Sequence, residues 1–332
     1  MRFFILFLLL LSGCSNKKDV ISIDPSKMPF KINILENSRE IVLIQDQDWE
    51  NQLLGYYNVI KTSNSYKMWY TSWGPSPFNE FYSNFCYATS DNGKIWNKNI
   101  SNISQNDSNN IIYNGILENF VFYDKYLQEY KLIGVERDSS KRQGTFLLSS
   151  NDGIHWRDKK LLYNVHFDTQ FSVIVNKDNY IIYLRTWSEG YRSIGSVVID
   201  KKLNSQYNPS PITYATNKSN TEFPHIYNNA ASAWEDLIIF FPTLYNNEKD
   251  SMSVTVGYQL QQKIYFSKMD ITEELFRNEK VKWGIVSPNL IPTGEKNRYW
   301  IYYYGSEESH FKRIVNKGKT IYFRIKIELL KS

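Results

Sequence analysis

The sequence predicts an all-β fold made of about five repeated sheet units. Three observations support this: one motif occurs twice, strand-like segments return at roughly sixty-residue spacing, and helical periodicity is nearly absent. That spacing fits either the blades of a propeller or another large sheet repeat. No Gly/Ser-rich or Pro-rich linker divides the chain, so we expect one domain over residues 30–332.

The first residues predict export and a lipid anchor. Arg2 precedes an apolar run over residues 3–11, which is too short to span a bilayer, and residues 11–14 read Leu-Ser-Gly-Cys. This tetrapeptide resembles a lipobox, so we expect a signal peptide over residues 1–13, acyl chains on Cys14 and a tether over residues 14–29. The alternative is an uncleaved apolar start with an accidental cysteine. Ser15 favours the outer membrane in a Gram-negative host; a Gram-positive host would hold the protein on the outer face of its cell membrane.

Composition narrows the possible functions. After Cys14 only Cys86 remains, so the mature chain forms no internal disulfide and must fold on its core alone. The net charge of +5 arises from mixed signs and does not indicate a nucleic-acid partner. Aromatic residues make up 16% of the chain, and their rings pack a β core or stack on the C–H faces of sugars.

The repeated motif runs over residues 66–96 and again over 130–156. The two copies align without a gap from Cys86 and Phe146 onward, and each predicts strand, loop, strand and a tight turn that ends in Gly and Trp. Residues 180–185, 237–241 and 300–304 resemble the central strand of the motif. The one helical pattern of note covers residues 271–278.

The turns of both copies fit an Asp box, Ser/Thr-x-Asp-x-Gly-x-x-Trp. In the first copy Asp91 takes the Asp position, and in the second Asn151 takes it. Asp boxes are structural features of propeller rims. We therefore expect these turns, including His155 in the second, to stabilise the fold rather than to act on a substrate.

The order of these segments resembles a large bacterial family of five-bladed β-propellers that is itself similar to glycoside hydrolase families 32 and 43. The most distinctive part is Asp168-Thr169-Gln170 followed by the strand that ends at Arg185. The resemblance implies a five-bladed β-propeller with blades of four antiparallel strands and acids on the innermost strands around an axial pocket. Residues 284–292 of the last blade depart from it, since they contain no acidic residue.

Hydrolysis of a glycosidic bond needs two carboxyl groups, one to protonate the leaving oxygen and one to attack or to activate water. Placement just before or within the first strand of each repeat selects Glu50, Glu118, Asp168 and Glu222. We predict Glu50 and Asp168 as the leading pair, with Glu222 as a further catalytic candidate and Glu118 in a structural role. Their assignment as acid or base stays open.

Other side chains are predicted to contact the glycan. Arg185 would hold Asp168 ionised, bind the sugar or join two blades, and Arg137 occupies the comparable place in the preceding repeat beside Glu136. The full set of predicted substrate-binding residues is Arg185, Arg137, His225, Trp73, Trp187 and His310. The role of His166 stays undecided.

The sequence indicates no cofactor, because metal-ligand spacings and phosphate-binding glycine loops are missing from it. We predict a monomeric, lipid-anchored glycosidase with a glycan substrate. A non-catalytic glycan-binding propeller, active in polysaccharide capture, export or modification, is the alternative. A six-bladed sialidase, with Arg137, Arg185 and Arg298 around one carboxylate, is a weaker one.

Overall fold

The computed structural model describes residues 17–74, 83–98, 110–137, 143–165, 167–202, 212–277, 280–315 and 319–332. Cys14 and His166 lie outside these residues, and Arg137 is described by its backbone alone. Across the described ranges, none of the helices has the length and apolar character that crossing a bilayer requires.

The described chain is almost entirely β, as expected. Three strands precede the repeats: β1 (Lys17–Asp19), β2 (Ile21–Ile23) and β3 (Phe30–Ile44). The first sheet contains β4 (Leu53–Lys61), β5 (Tyr66–Trp73), β6 (Ser83–Ser90) and β7 (Ile111–Asn114). The second sheet contains β8 (Ile116–Asp124), β9 (Glu129–Arg137), β10 (Gln143–Ser150) and β11 (Arg157–Tyr163).

The third sheet contains β12 (Ser172–Val175), β13 (Asn179–Ser188), β14 (Tyr191–Asp200) and β15 (Thr213–Thr216), with β1 added at its edge. The fourth region contains β16 (His225–Asn228), β17 (Ala231–Trp234), β18 (Leu237–Phe240), β19 (Thr243–Asn246), β20 (Ser251–Val254), β21 (Gly257–Leu260) and β22 (Lys263–Ser267). The last sheet contains β23 (Trp283–Val286), β24 (Ile291–Pro292), β25 (Arg298–Ser306) and β26 (Thr320–Lys331). The helices are α1 (Thr272–Phe276), α2 (Lys312–Val315) and the 3-10 turns Pro25–Lys27 and Asp48–Glu50.

The fourth region forms two sheets from interleaved strands. Strands β16, β19 and β20 pair in one, and β17, β18, β21, β22 and β2 pair in the other. Pro242 separates β18 from β19, and a proline there cannot donate the ladder hydrogen bond that a continuous strand would need. Between β16 and β22 the chain therefore passes from one of these two sheets to the other three times.

The last sheet joins the two ends of the described chain. Strand β26 pairs antiparallel with β25 on one side and with β3 on the other, with Ile321 opposite Ile44 and Lys331 opposite Phe30. Strand β3 thus completes a sheet whose other strands, β23 to β26, come from the C-terminal part of the chain.

The Asp-box turns form in both repeats, but the acceptor lies one residue later than the sequence alignment predicted. Asn92 Oδ1 accepts the Lys94 and Ile95 amides at 2.8 and 2.9 Å, and Asp152 does the same for the residues after Gly153. The prediction that Asp91 and Asn151 hold these positions is wrong, because the side chain just before the glycine accepts these two amides. The Ser90 and Ser150 hydroxyls accept the amides of that residue and of the glycine.

Each turn docks on a neighbouring sheet. The Trp69 indole of the first sheet donates to the Gly153 carbonyl at 2.7 Å, and the Tyr302 hydroxyl of the last sheet donates to the Gly93 carbonyl at 3.0 Å. Gly153 has φ +81°, and a Cβ there would lie 2.6 Å from the Trp69 ring. The turns therefore fix the packing between sheets, as a structural role requires.

Buried polar side chains link β4, β8 and the loop before β12. Gln170 donates to the carbonyls of Tyr57 and Asn119 at 3.0 and 3.2 Å, and Asn58 exchanges two hydrogen bonds with the Val121 backbone. Tyr57, Asn119 and Gln170 lie within two residues, along the chain, of residues that line the cavity described below. The bonds hold that part of the backbone in place, since buried amides without partners would be costly.

Candidate functional site

A cavity of about 420 Å³ opens beside β4 and β8, the first strands of the first and second sheets. Its lining includes two carboxyl groups, two arginines, three tyrosines, a histidine and a tryptophan. The described residues that line it are Gln52, Leu53, Leu54, Gly55, Tyr56, Trp73, Leu117, Glu118, Asp168, Arg192, Tyr227, Tyr304, His310 and Arg313. It combines aromatic surface with a few polar groups, as ligand pockets do.

Two β-bulges supply lining residues. The pairing register shifts between Gly55 and Asn58 on β4 and between Leu117 and Phe120 on β8, and the bulges hold Tyr56 at φ 44° and Glu118 at φ 47°. Residues other than glycine rarely adopt this left-handed conformation, and those that do are often found at functional sites. The same local device thus brings a tyrosine and an acid to one cavity from two sheets.

The two carboxyl groups differ in their surroundings. Glu118 is 6% exposed, whereas the Asp168 side chain, in the loop before β12, is 58% exposed and faces solvent. The Arg185 guanidinium forms an ion pair with the Asp168 carboxylate. Burial alone would lower the pKa of Arg185, but Tyr227 and Asp168 raise it, so the guanidinium stays charged.

Two arginines line this cavity, and a third, Arg185, reaches it through its ion pair with Asp168. Arg185 lies on β13 and Arg192 on β14, where the hairpin register sets Trp187 opposite Arg192. Because alternate residues of a strand share one face, Arg185, Trp187 and Arg192 lie on the same face of the third sheet. Arg313 comes from α2, between β25 and β26 of the last sheet, so the cations converge from separate parts of the chain.

Tyr227 and His310 lie among these cations. The Arg185 and Arg192 guanidinium carbons are 4.5 and 5.6 Å from the centre of the Tyr227 ring, a cation–π distance. The Tyr227 hydroxyl and His310 Nε2 are 2.7 Å apart. Burial, followed by the charges of Arg313 and Arg192, lowers the pKa of His310 to about 4, so this imidazole is neutral near pH 7.

The structure does not bring Glu50 to the cavity. Glu50 is fully buried, accepts a hydrogen bond from the Tyr70 hydroxyl at 2.6 Å and pairs with Lys98 at 2.8 Å. Its carboxylate is thus enclosed by partners of the first sheet. The expectation that it faces Asp168 is wrong in placement, because the 3-10 turn Asp48–Glu50 directs it under β5 rather than toward the cavity.

Glu222 and His225 also lie outside the cavity lining. Glu222 is exposed in an Asn-capped turn, where its amide donates to the Asn220 side chain at 3.1 Å. His225 is buried against Trp187 and Tyr191, and it contacts the Arg192 amide and the Asn247 side chain. We therefore assign Glu222 to the surface and His225 to the support of Arg192.

The remaining predicted contacts divide between the cavity and the surface. Trp73 lines the cavity and packs edge-on against Tyr56, and His310 lines it too. Trp187 is 54% exposed beside the Arg192 guanidinium. Arg298, named in the sialidase alternative, pairs with Glu295 on β25 and does not join the other arginines. Within the described residues, no group of three His, Cys, Asp or Glu residues could hold a metal ion.

Sequence reasoning missed Arg192, Arg313 and Tyr56, and it gave Glu118 a structural role. One signal was available for Arg192: a Glu189-Gly190 turn between two strands predicts a hairpin that sets Arg192 opposite Trp187. Nothing in the sequence marks Arg313, which reaches the cavity from a four-residue helix.

Solved structures of glycoside hydrolases are similar to this chain in fold. Neither a protein-family model nor a curated protein matches the sequence. A thermostable family-43 glycoside hydrolase matches with a TM-score of 0.57 and 11% identity, over 84% of this chain and 94% of that chain. The catalytic domain of a Coprinopsis cinerea GH62 alpha-L-arabinofuranosidase matches with a TM-score of 0.57 and 8% identity, over 86% and 95%.

A Bombyx mori GH32 beta-fructofuranosidase also matches, with a TM-score of 0.50 and 11% identity, over 80% of this chain and 59% of that chain. The predicted resemblance to families 32 and 43 is confirmed at the level of the fold. Identities this low carry no assignment of activity.

Proposed function

We propose that the protein is a glycoside hydrolase that uses paired carboxyl groups in the cavity beside Tyr56. The observation that carries the proposal is the meeting of Glu118 and Asp168, from separate parts of the chain, beside Trp73 in one cavity. Hydrolysis of a glycosidic bond needs two such groups and a surface that holds the ring. The likeness to glycoside hydrolase structures supports this chemistry by analogy.

We further propose that the six sheets make five blades of a propeller. The interleaved sheets of the fourth region would be the inner and outer halves of one blade, since β16, β18 and β20 continue into β17, β19 and β21 with two-residue breaks. The pairing of β3 with β26 would then close the ring, an arrangement that removes exposed sheet edges.

The roles of the two acids follow from their surroundings. Asp168 pairs with Arg185 and is open to solvent, which suits a charged group that attacks the anomeric carbon or activates water. Glu118 is the more buried carboxyl and suits the acid that protonates the leaving oxygen. Trp73, half-buried at the cavity, offers a platform for a sugar ring.

We retain the lipid anchor on Cys14 as part of the proposal, on the evidence of residues 2–14 of the sequence. It would hold a monomeric enzyme outside the cytoplasm, on the outer membrane of a Gram-negative host or on the outer face of the cell membrane of a Gram-positive one. Radiolabelled palmitate that enters the wild-type protein but not Cys14→Ala tests this point.

The test of hydrolysis is reducing-end release from a panel of bacterial and plant polysaccharides, with protein that begins at residue 15. We expect Asp168→Asn and Glu118→Gln to lower the rate at least about 100-fold while both proteins stay folded. Glu222→Gln is the matched control, because it removes an exposed carboxyl away from the cavity. Full activity of Glu118→Gln, or loss of activity in the control, would contradict the assignment.

One observation favours a second candidate, a propeller that binds glycans without cleaving them. The ion pair with Arg185 occupies one side of the Asp168 carboxylate, and of the three predicted catalytic acids only Asp168 lines the cavity. A binder would retain its affinity for a glycan in the Asp168→Asn variant and release no reducing ends from any polysaccharide.

A further inference from the structure

We propose that the cavity recognises a sugar that carries a carboxylate, and that Arg185, Arg192 and Arg313 bind this group. The inference deepens the proposed function and rests on it in one respect, that the occupant is a glycan. It adds the chemical class of the glycan, an acidic one.

The first step is the state of the three guanidinium groups. Arg185 is 3% exposed and Arg313 is 8% exposed. The Nε atoms of Arg185, Arg192 and Arg313 are all buried, and none has a hydrogen-bond partner in the described structure. A buried donor without an acceptor costs free energy, and three in one place indicate that an acceptor is supplied from outside the chain.

A buried arginine elsewhere in this chain provides the contrast. Arg324, 5% exposed, donates from Nε to Glu40 at 2.7 Å, pairs with the same carboxylate through a second nitrogen at 2.6 Å, and donates to the Asn92 carbonyl at 2.7 Å. Each of its three nitrogens has a partner. At the cavity, by contrast, Arg185 bonds Asp168 and the Tyr227 carbonyl and Arg192 bonds Asn247, but their Nε atoms and that of Arg313 have no partner among the described residues. The Arg39 Nε is also without a partner, but Arg39 is only half-buried.

The guanidinium groups at the cavity also lack ion-pair partners. Among the described residues, the carboxyl groups that line the cavity are Glu118 and Asp168, whereas Asp250, which also acts on His310, accepts a hydrogen bond from the Tyr245 hydroxyl. In the described residues neither Arg192 nor Arg313 forms an ion pair, and Arg185 forms one, with Asp168. His310 adds no charge near pH 7. A carboxylate on the ligand would give Arg192 and Arg313 the ion-pair partner that the described residues do not supply.

The three guanidinium groups lie close together around Tyr227 and His310. Arg185 and Arg192 both lie over Tyr227, and Tyr227 contacts His310. The positive charges of Arg313, Arg192 and Arg185 all oppose protonation of that histidine, which requires them to be near it. A carboxylate on the ligand could thus contact more than one guanidinium, and arginine's planar fork matches its two oxygens.

The test is isothermal titration of the mature protein with oligosaccharides of four kinds. One ends in a uronic acid, one ends in a nine-carbon sugar acid, one carries sulfate, and the last is the methyl ester of the uronic acid oligosaccharide. We expect a carboxylated probe to bind at least about tenfold more tightly than its ester, because the ester keeps the ring and removes the charge. The two carboxylated probes distinguish the two sources of the group.

Variants assign the effect to the cavity. Arg192→Gln and Arg313→Gln should each weaken binding of the carboxylated probe at least about tenfold and leave binding of the ester within about twofold. Arg298→Gln, at a half-buried arginine on β25 that lies outside the cavity lining, is the matched control and should bind as the parent does. Circular dichroism checks that each variant folds. If Arg192→Gln does not fold, Arg192→Lys takes its place in the binding measurement.

Equal binding of acid and ester, tighter binding of the sulfated probe, failure of both carboxylated probes to bind, or unchanged affinity in both cavity variants would overturn the inference. The measurements distinguish a failure of this inference from a failure of the proposed hydrolysis. Cleavage of neutral glycans without acidic preference would leave hydrolysis standing, whereas tight binding of a carboxylated probe without any cleavage would remove hydrolysis and leave this inference.

Discussion

Two clusters in this molecule contain the same kinds of side chain: carboxyl groups, cations and tyrosine. They differ in whether their polar atoms have partners within the chain. Around Glu50, both carboxylate oxygens have partners within the chain: Tyr70 at 2.6 Å and Lys98 at 2.8 Å. At the cavity, the Arg185, Arg192 and Arg313 Nε atoms have none within the described residues.

The difference separates structure from function where residue type cannot. A buried charge is tolerated when its partners are complete, so the closed Glu50 cluster needs nothing from outside. The cavity leaves donors unsatisfied next to open space and strains the backbone at Tyr56 and Glu118. Proteins retain such costs where a ligand compensates for them.

The largest expected effect tests the closed cluster. Glu50→Ala leaves Lys98, whose side chain is 9% exposed, with the exposed Asp46 as its one remaining ion-pair partner among the described residues. We expect the free energy of unfolding to fall by about 3 kcal/mol, because an uncompensated buried charge remains. Urea unfolding followed by tryptophan fluorescence measures this.

Glu222→Ala is the control for that measurement and should change the free energy of unfolding by less than about 0.5 kcal/mol, as exposed substitutions do. If Glu50→Ala were equally mild, the cluster would not be the closed structural unit described here.

A smaller effect concerns the charge of the cavity. The pKa of His310 is lowered to about 4 in the folded state, against an ordinary value of 6.5, so the unfolded chain takes up this proton first as the pH falls. The contribution of neutral His310 to the free energy of unfolding is therefore fully present above about pH 6.5. It is lost as the pH falls toward 4. We expect this loss to be on the order of 2 kcal/mol.

His310→Gln should lack that component, so its free energy of unfolding should fall less than the parent's between pH 7 and pH 4.5 in chemical denaturation. The groups facing His310 are Arg185, Arg192, Arg313 and Asp250. Parallel curves for parent and variant would show that these cations do not surround the imidazole.

The smallest effect compares one tyrosine from each cluster. The Tyr70 hydroxyl donates to Glu50 and accepts from Asn110 at 2.8 Å, so Tyr70→Phe should cost about 1–2 kcal/mol of stability. Tyr56→Phe, at the cavity, should cost less than about 0.5 kcal/mol and act on ligand affinity instead. Thermal denaturation of both variants checks the order, which would be reversed if the cavity were the structural cluster.

Much of the fold was predictable because repeats and strand periodicity are local properties. The strand preceding Arg185, the two Asp-box turns and the short helix near Thr272 all appear where the pattern placed them. The pairing of β3 with β26 was not predictable, since it joins residues almost 300 positions apart and no local pattern encodes register over that distance.

The site was less predictable, because a cavity is assembled from non-local pieces. Asp168 and Arg185 could be linked through their adjacent strand and loop. Glu50 could not be separated from Glu118, since both are acids just before or within inner strands, and the difference arises from a bulge on β8 and a 3-10 turn before β4. Such deviations from regular strand geometry leave little trace in a sequence.

We propose that hydrolysis takes place at the cavity with Glu118 and Asp168, whereas Glu50 supports the fold. The rate of reducing-end release per folded molecule, measured for Glu118→Gln and Glu50→Gln on the best polysaccharide of the panel, separates these two roles. We expect at least about 100-fold loss for Glu118→Gln and a rate within about threefold of the parent for Glu50→Gln. Loss of turnover in a folded Glu50→Gln protein, with Glu118→Gln fully active, would contradict this proposal.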